Sequence, residues 1–139
     1  MAHPYIAPKK KATARRRYEE FGLQKGVAEY FEYKAVPGLA WLTIEVGGYR
    51  HPAEAARLKA CGVKKGTPDG LVVWRGQPVF IELKSERGRL SPAQKSFHEY
   101  LRQAGAQVEV IRSLEQLEAL LKRLGVNSKV SINRSKNDE

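Results

Sequence analysis

Cysteine is almost absent: Cys61 is the only one in 139 residues. One thiol allows no intrachain disulfide and no cysteine-rich zinc site, and it suits a reducing compartment. Long apolar runs are missing too. No stretch approaches the ~20 apolar residues that span a bilayer. The first residues hold no apolar signal core, because Lys9, Lys10, Lys11, Arg15, Arg16 and Arg17 break it up. A soluble, cytoplasmic chain without a membrane partner is the expectation. Acids are missing from residues 1–18, where those six cations make up more than half of the net charge of +10. No internal repeat is visible.

What is present is enough apolar residue, 42%, to build one core. A basic arm on a mildly basic domain points to a polyanion such as nucleic acid. A solubilising tail or a localisation signal is the plainer reading of the arm. Residues 1–16, with Pro4, Pro8 and the charge run, read as a disordered basic arm, residues 17–126 as one domain, and residues 127–139 as a flexible polar tail.

Within the domain, Phe21, Val27, Ala28, Tyr30 and Phe31 recur at helical spacing from about Tyr18 to Lys34. Gly22 and Gly26 weaken that helix and leave room for another backbone. Leu39–Val46 reads as a strand closed by Gly47-Gly48. A short helix starts at Pro52 and stops at Gly62. Two apolar runs, Leu71–Trp74 and Val79–Ile81, flank Gly76-Gln77, a Gly-X pair suited to a type II′ hairpin. Ser91-Pro92-Ala93-Gln94 opens a helix with a capping box. Gln107–Ile111 alternates as a strand, and Ser113…Gln116 repeats the box before a Leu117, Leu120, Leu121, Leu124 stripe. The segment 91–111 can return a strand to the sheet in parallel, so the fold class is α/β, with a mixed β-sheet flanked by helices.

The second run continues as Glu82-Leu83-Lys84. Strand side chains alternate faces, so Val79, Ile81 and Leu83 share one face while Phe80, Glu82 and Lys84 share the other. With Gly76-Gln77 as a two-residue turn, Asp69 falls opposite Lys84 and diagonal to Glu82. Two carboxylates and an ammonium then meet at one sheet edge. Carboxylates placed together need a proton or a cation. Oxygen donors suit Mg²⁺ or Mn²⁺, which polarise phosphodiesters and acidify water. The carbonyl of Leu83 lies between the two charged side chains as a further donor. Lys84 is suited to holding water or stabilising negative charge on a phosphate. The plainer alternative is a Glu82–Lys84 surface pair worth at most ~1 kcal/mol, with Pro68-Asp69-Gly70 as simple turn chemistry.

Pro68-Asp69, then twelve residues, then Glu82-Leu83-Lys84 is similar to the PD-(D/E)xK signature of restriction-endonuclease-like nucleases. The flanking runs, Gly62–Gly70, Phe80–Ser85 and Gly88–Gln94, resemble the VRR-NUC (virus-type replication-repair nuclease) family, and the similarity extends through Gly105-Ala106 and Val110–Ser113. It covers roughly residues 18–124. The resemblance implies a restriction-endonuclease-like core and a metal-dependent endodeoxyribonuclease acting on double-stranded or branched DNA in replication, recombination or repair. It also implies likeness to Holliday-junction resolvases, a homodimer, Mg²⁺ or Mn²⁺ as cofactor and no small-molecule cofactor. For a bacterial or phage member the place of work is the nucleoid or host cytoplasm. By the same resemblance, Asp69 and Glu82 match the metal-binding acids, Lys84 the catalytic lysine, Gln94 a glutamine following that element, and Glu20 the acid of the first helix, with Glu19 and Glu29 as rivals. Gln94 also sits at the capping-box position, and Glu20 with Gln24 also reads as a solvated pair. Lys64, Lys65, Arg87 and Arg89 flank the site as candidate phosphate contacts or as ordinary loop charges. His3, His51 and His98 show no metal-ligand spacing with one another or with Cys61, and Trp41 and Trp74 read as core. The rivals to a nuclease are a non-catalytic nucleic-acid-binding module of the same fold and a structural subunit of a larger complex.

Overall fold

A computed structural model describes residues 7–44 and 51–126, with side chains from residue 14 onward. Along the chain run α1 (Ala7–Tyr33), β1 (Leu39–Thr43), α2 (Pro52–Ala60), β2 (Gly70–Trp74), β3 (Gln77–Leu83), α3 (Pro92–Gln103), β4 (Gln107–Ile111) and α4 (Leu114–Arg123). The strands form one sheet in the order β1-β2-β3-β4. The first two pairings are antiparallel and β3 with β4 is parallel. A parallel neighbour needs a crossover, and α3 supplies it.

Sequence chemistry explains the element ends. Ser91 caps α3: its hydroxyl accepts from Gln94 N–H at 3.1 Å while Gln94 Oε1 accepts from Ser91 N–H at 2.8 Å. Ser113 caps α4 in the same way, but Gln116 Oε1 reaches back one residue further, to Arg112 N–H at 2.7 Å. His51 caps α2 through Nδ1. The expected strand over Leu39–Val46 is found as Leu39–Thr43, and positions 45–50 lie outside the described residues.

Three expectations are corrected. The helix begins at Ala7, so residues 7–16 belong to α1 rather than to a disordered arm, and residues 1–6 and the tail from 127 lie outside the described residues. Pro4 and Pro8 drove the expectation, yet Pro8 falls in the first turn, where a missing N–H costs nothing. The hairpin turn is Arg75-Gly76, not Gly76-Gln77: φ is 47° at Arg75 and 83° at Gly76, and Trp74 pairs with Gln77. Two positive φ values make a type I′ turn, whose twist matches that of the strands. Arg75 tolerates the left-handed conformation while its guanidinium lies 4.9 Å from the centroid of Trp74. Nor, among the described residues, does a backbone approach Gly22 or Gly26; of these, a Cβ at Gly26 would meet the Leu114 side chain, at 3.7 Å.

The core lies between the sheet and the helices α1 and α4. Val72 and Trp74 of β2, with Val79, Ile81 and Leu83 of β3, meet Val27 of α1 and Leu117, Leu120 and Leu121 of α4. The three leucines are at most 1% exposed. Burying each contributes about 1.5–3 kcal/mol. Trp41 is half-buried and stacks on Phe31 at 5.0 Å. The alternation expected along β3 is therefore present, with the apolar side of its C-terminal half fixed in the core. That leaves Glu82 on the opposite face, under α3.

Candidate active site

The site forms where β2 begins and β3 ends. Glu82 is 1% exposed. Its Oε1 accepts from Gln94 Nε2 at 2.9 Å, and its Oε2 lies 3.1 Å from His98 Nε2. Burial is the main force pushing its carboxyl up to about 8, and the neighbouring Asp69, by charge and by hydrogen bonding, adds to it. Lys84 works against the rise, and Glu20 contributes slightly to it.

Asp69 follows the buried Pro68. Its Oδ2 accepts from Leu83 N–H at 2.7 Å, and its backbone carbonyl accepts from Ile44 N–H at 2.8 Å. The carboxylate is thereby fixed to the last residue of β3. Continuing the observed register by one step places position 69 across from 82 rather than 84. The turn, of the same length but one residue earlier, accounts for that two-residue shift, and it draws the two acids together more closely than the anticipated pairing did. Asp69 and Leu83 join Arg17, Glu20, Phe21 and Gln24 around a cleft of about 180 Å³.

Lys84 stands one residue past the strand, and its N–H is held by Ile111 O at 3.0 Å. Its Nζ is 3.8 Å from Glu20 Oε1 on α1. Of the three candidate acids on α1, Glu20 is thus the one at the site; Glu19 pairs with Arg15 at 3.1 Å. The loop after Lys84 approaches Glu20 closely. A Cβ on Gly88 would stand 2.8 Å from Ser85 Oγ and 3.1 Å from Glu20 Oε1. Arg112 holds this loop in place, with Nη1 donating to Ser85 O at 2.8 Å and Gly88 O at 2.6 Å.

Gln94 closes the cap of α3 and also reaches Glu82. Because Oε1 is occupied by the Ser91 N–H, the amide can turn only Nε2 toward Glu82. The helix cap therefore orients the donor. One turn later His98 offers a second, fully buried nitrogen to the same carboxylate. Burial, reinforced by Arg102, pushes the His98 imidazole down.

Lys64 and Lys65 are exposed on the loop ahead of Pro68, and Arg87 and Arg89 are exposed on the loop after β3. Arg87 joins Arg15, Arg16, Glu19 and Glu86 around a second cleft of about 430 Å³. Both clefts share α1, so basic side chains lie along the same helix as Glu20.

The donor chemistry fits a divalent cation. Asp69 and Glu82 meet as two carboxylates whose closeness, with burial, makes Glu82 retain a proton. A cation between them opposes both effects. The oxygen donors are those preferred by Mg²⁺ and Mn²⁺, and Leu83 lines the cleft beside Asp69. Glu20 is engaged with Lys84, and among the described residues no three His, Cys, Asp or Glu side chains converge as a cluster. Such a pair leaves coordination positions for water and substrate oxygens, the usual habit of Mg²⁺.

Two participants escaped the sequence reading. His98 lacks metal-ligand spacing, so spacing does not single it out; its four-residue offset from Gln94, which puts both on one helix face, is the signal. Arg112 gave no local signal, since its partners lie more than twenty residues earlier.

The VRR-NUC domain family model matches residues 42–115. A solved structure of a VRR-NUC domain protein superposes with a TM-score of 0.57 at 20% identity, covering 78% of this chain and 89% of the other. That likeness shows a shared restriction-endonuclease-like fold. No curated protein matches the chain significantly. With more than half of its residues inside the family model, the chain belongs to the VRR-NUC family of nuclease-type domains.

Proposed function

We propose that the protein is a Mg²⁺- or Mn²⁺-dependent endodeoxyribonuclease acting on structured or branched DNA during replication, recombination or repair. The meeting of Asp69 and Glu82 at the end of β3, beside Lys84, carries this reading. Asp69, Glu82 and the Leu83 carbonyl would hold the cation, with Glu20 at the rim. When bound, the cation supplies charge to the attacked phosphate and acidifies water.

The chain's own groups do the rest. Lys84, steadied by Glu20, stabilises negative charge on the phosphate and positions the attacking water. Attack in line on phosphorus forms a new P–O bond and breaks the bond to the 3′ oxygen. The products are a 5′-phosphate and a 3′-hydroxyl. Lys64, Lys65, Arg87, Arg89 and the basic side chains Arg15, Arg16 and Arg17 of α1 contact phosphates. A homodimer would set two such sites on two strands, and a solution mass checks it.

The test incubates purified protein with linear, flap and four-way-junction DNA in EDTA, Mg²⁺ or Mn²⁺. Wild type is expected to cut only with metal. Asp69→Ala and Lys84→Ala are expected to lose ~100-fold or more in rate, with DNA binding retained by Lys84→Ala. Binding without metal-dependent cutting of any substrate would establish a non-catalytic nucleic-acid-binding module instead.

A further inference from the structure

His98 is the most deeply buried polar group outside the residues already given a role. It is 0% exposed, and its Nδ1 has no hydrogen-bond partner among the described residues. Its hydrogen bond is to Glu82 Oε2, at 3.1 Å. A ring with an orphaned buried nitrogen is a poor choice for packing alone, since an apolar side chain of similar size would fill the space without stranding a polar atom. The contact with Glu82 gives the imidazole its purpose.

Geometry shows what that contact adds. Gln94 restrains Oε1 of Glu82, leaving the carboxylate free to turn about that one anchor. A second donor on Oε2 removes the turn. Gln94 and His98 are four residues apart on α3, so both donors come from one helix face whose start is fixed by the Ser91 capping box. Once a cation holds Glu82 in its charged form, the carboxylate can only accept, so Nε2 then carries the hydrogen.

We propose that His98 is a positioning residue: by donating from Nε2 to Glu82 Oε2 it locks, together with Gln94, the orientation in which the Glu82 carboxylate meets Asp69 to receive a divalent cation. The inference rests on the reading of Glu82 as a cation ligand. It assigns His98 no contact with DNA or with the reacting phosphate.

The test is calorimetric titration of the DNA-free protein with Mn²⁺, alongside thermal denaturation in EDTA. His98→Leu is expected to bind Mn²⁺ ~10-fold more weakly or worse, while His98→Gln, whose amide reaches as far as Nε2, stays within ~3-fold of wild type. Should His98→Leu fail to fold, His98→Asn takes its place, because its shorter amide cannot reach Oε2. Equal Mn²⁺ affinity in wild type and in the Leu or Asn variant overturns the proposal. So does a Gln variant as weak as they are. Absence of Mn²⁺ binding by wild type, or undiminished binding by Asp69→Asn, instead brings down the cation reading, and this inference with it.

Discussion

Glu82 holds a position in which a carboxylate is poorly tolerated until something offsets its charge. Burial and Asp69 raise its pKa from the ordinary 4.5 to about 8. A raised acid binds its proton more tightly in the folded state than in the unfolded one. Stability is therefore fully present below 4.5 and declines as pH rises toward 8. Glu82→Gln removes that decline while keeping an acceptor for Gln94. In EDTA, its melting temperature should exceed that of wild type by ~5 °C or more at about pH 8.5, with little difference at about pH 5. Thermal denaturation across pH checks this, and an equal gap at both ends would show that Glu82 is not titrating there. The identity of this acid, of Asp69 and of Lys84 was legible because strand periodicity and a nine-residue flank, Gly62–Gly70, carry them. The burial that perturbs Glu82 was not legible, because it comes from α3 packing over the sheet.

Among the elements, the β2–β3 hairpin and the loop after β3 set the geometry. The sequence reading found both strands but placed the turn one residue late, because Gly-Gln fits a type II′ turn as well as Arg-Gly fits type I′. Only pairing across the sheet, with Trp74 facing Gln77, decides between them. The capping box at Ser91 was readable in full, since its motif lies within four residues. At Ser113 the hydroxyl caps as expected, but the Gln116 side chain bonds to Arg112 N–H instead of closing the box. Arg112 was not readable, because its loop partners at 85 and 88 lie on another element. Arg112→Ala removes the side-chain donor to Gly88 O and one of the two donors to Ser85 O, and should destabilise the fold by about 1–3 kcal/mol. Denaturant unfolding gives the magnitude. Hydrogen exchange should quicken first at the Gly88 amide, whose bond to Ser85 O closes this loop. Unchanged exchange there would mean that the loop holds itself.

At the scale of the molecule, α1, the hairpin and α3 converge from distant parts of the chain on one end of the two central strands, β2 and β3, rather than on a sheet edge. Glu20 comes from the first helix, Asp69 and Glu82 from the hairpin, and Gln94 and His98 from the crossover. The element order and the mixed sheet followed from periodicity and turn chemistry, and the family model covers the stretch that carries most of these groups. The start of α1 was misjudged because a run of like charges reads as unstructured when taken alone. Among the described residues no helix is long and apolar enough to cross a membrane. The central claim is that Asp69 and Glu82 together receive one divalent cation. Anomalous scattering from a crystal soaked in Mn²⁺ tests it most directly. The account predicts a peak at coordination distance, about 2.0–2.3 Å, from both carboxylates. A peak elsewhere, or none where wild-type side chains are ordered, would contradict it.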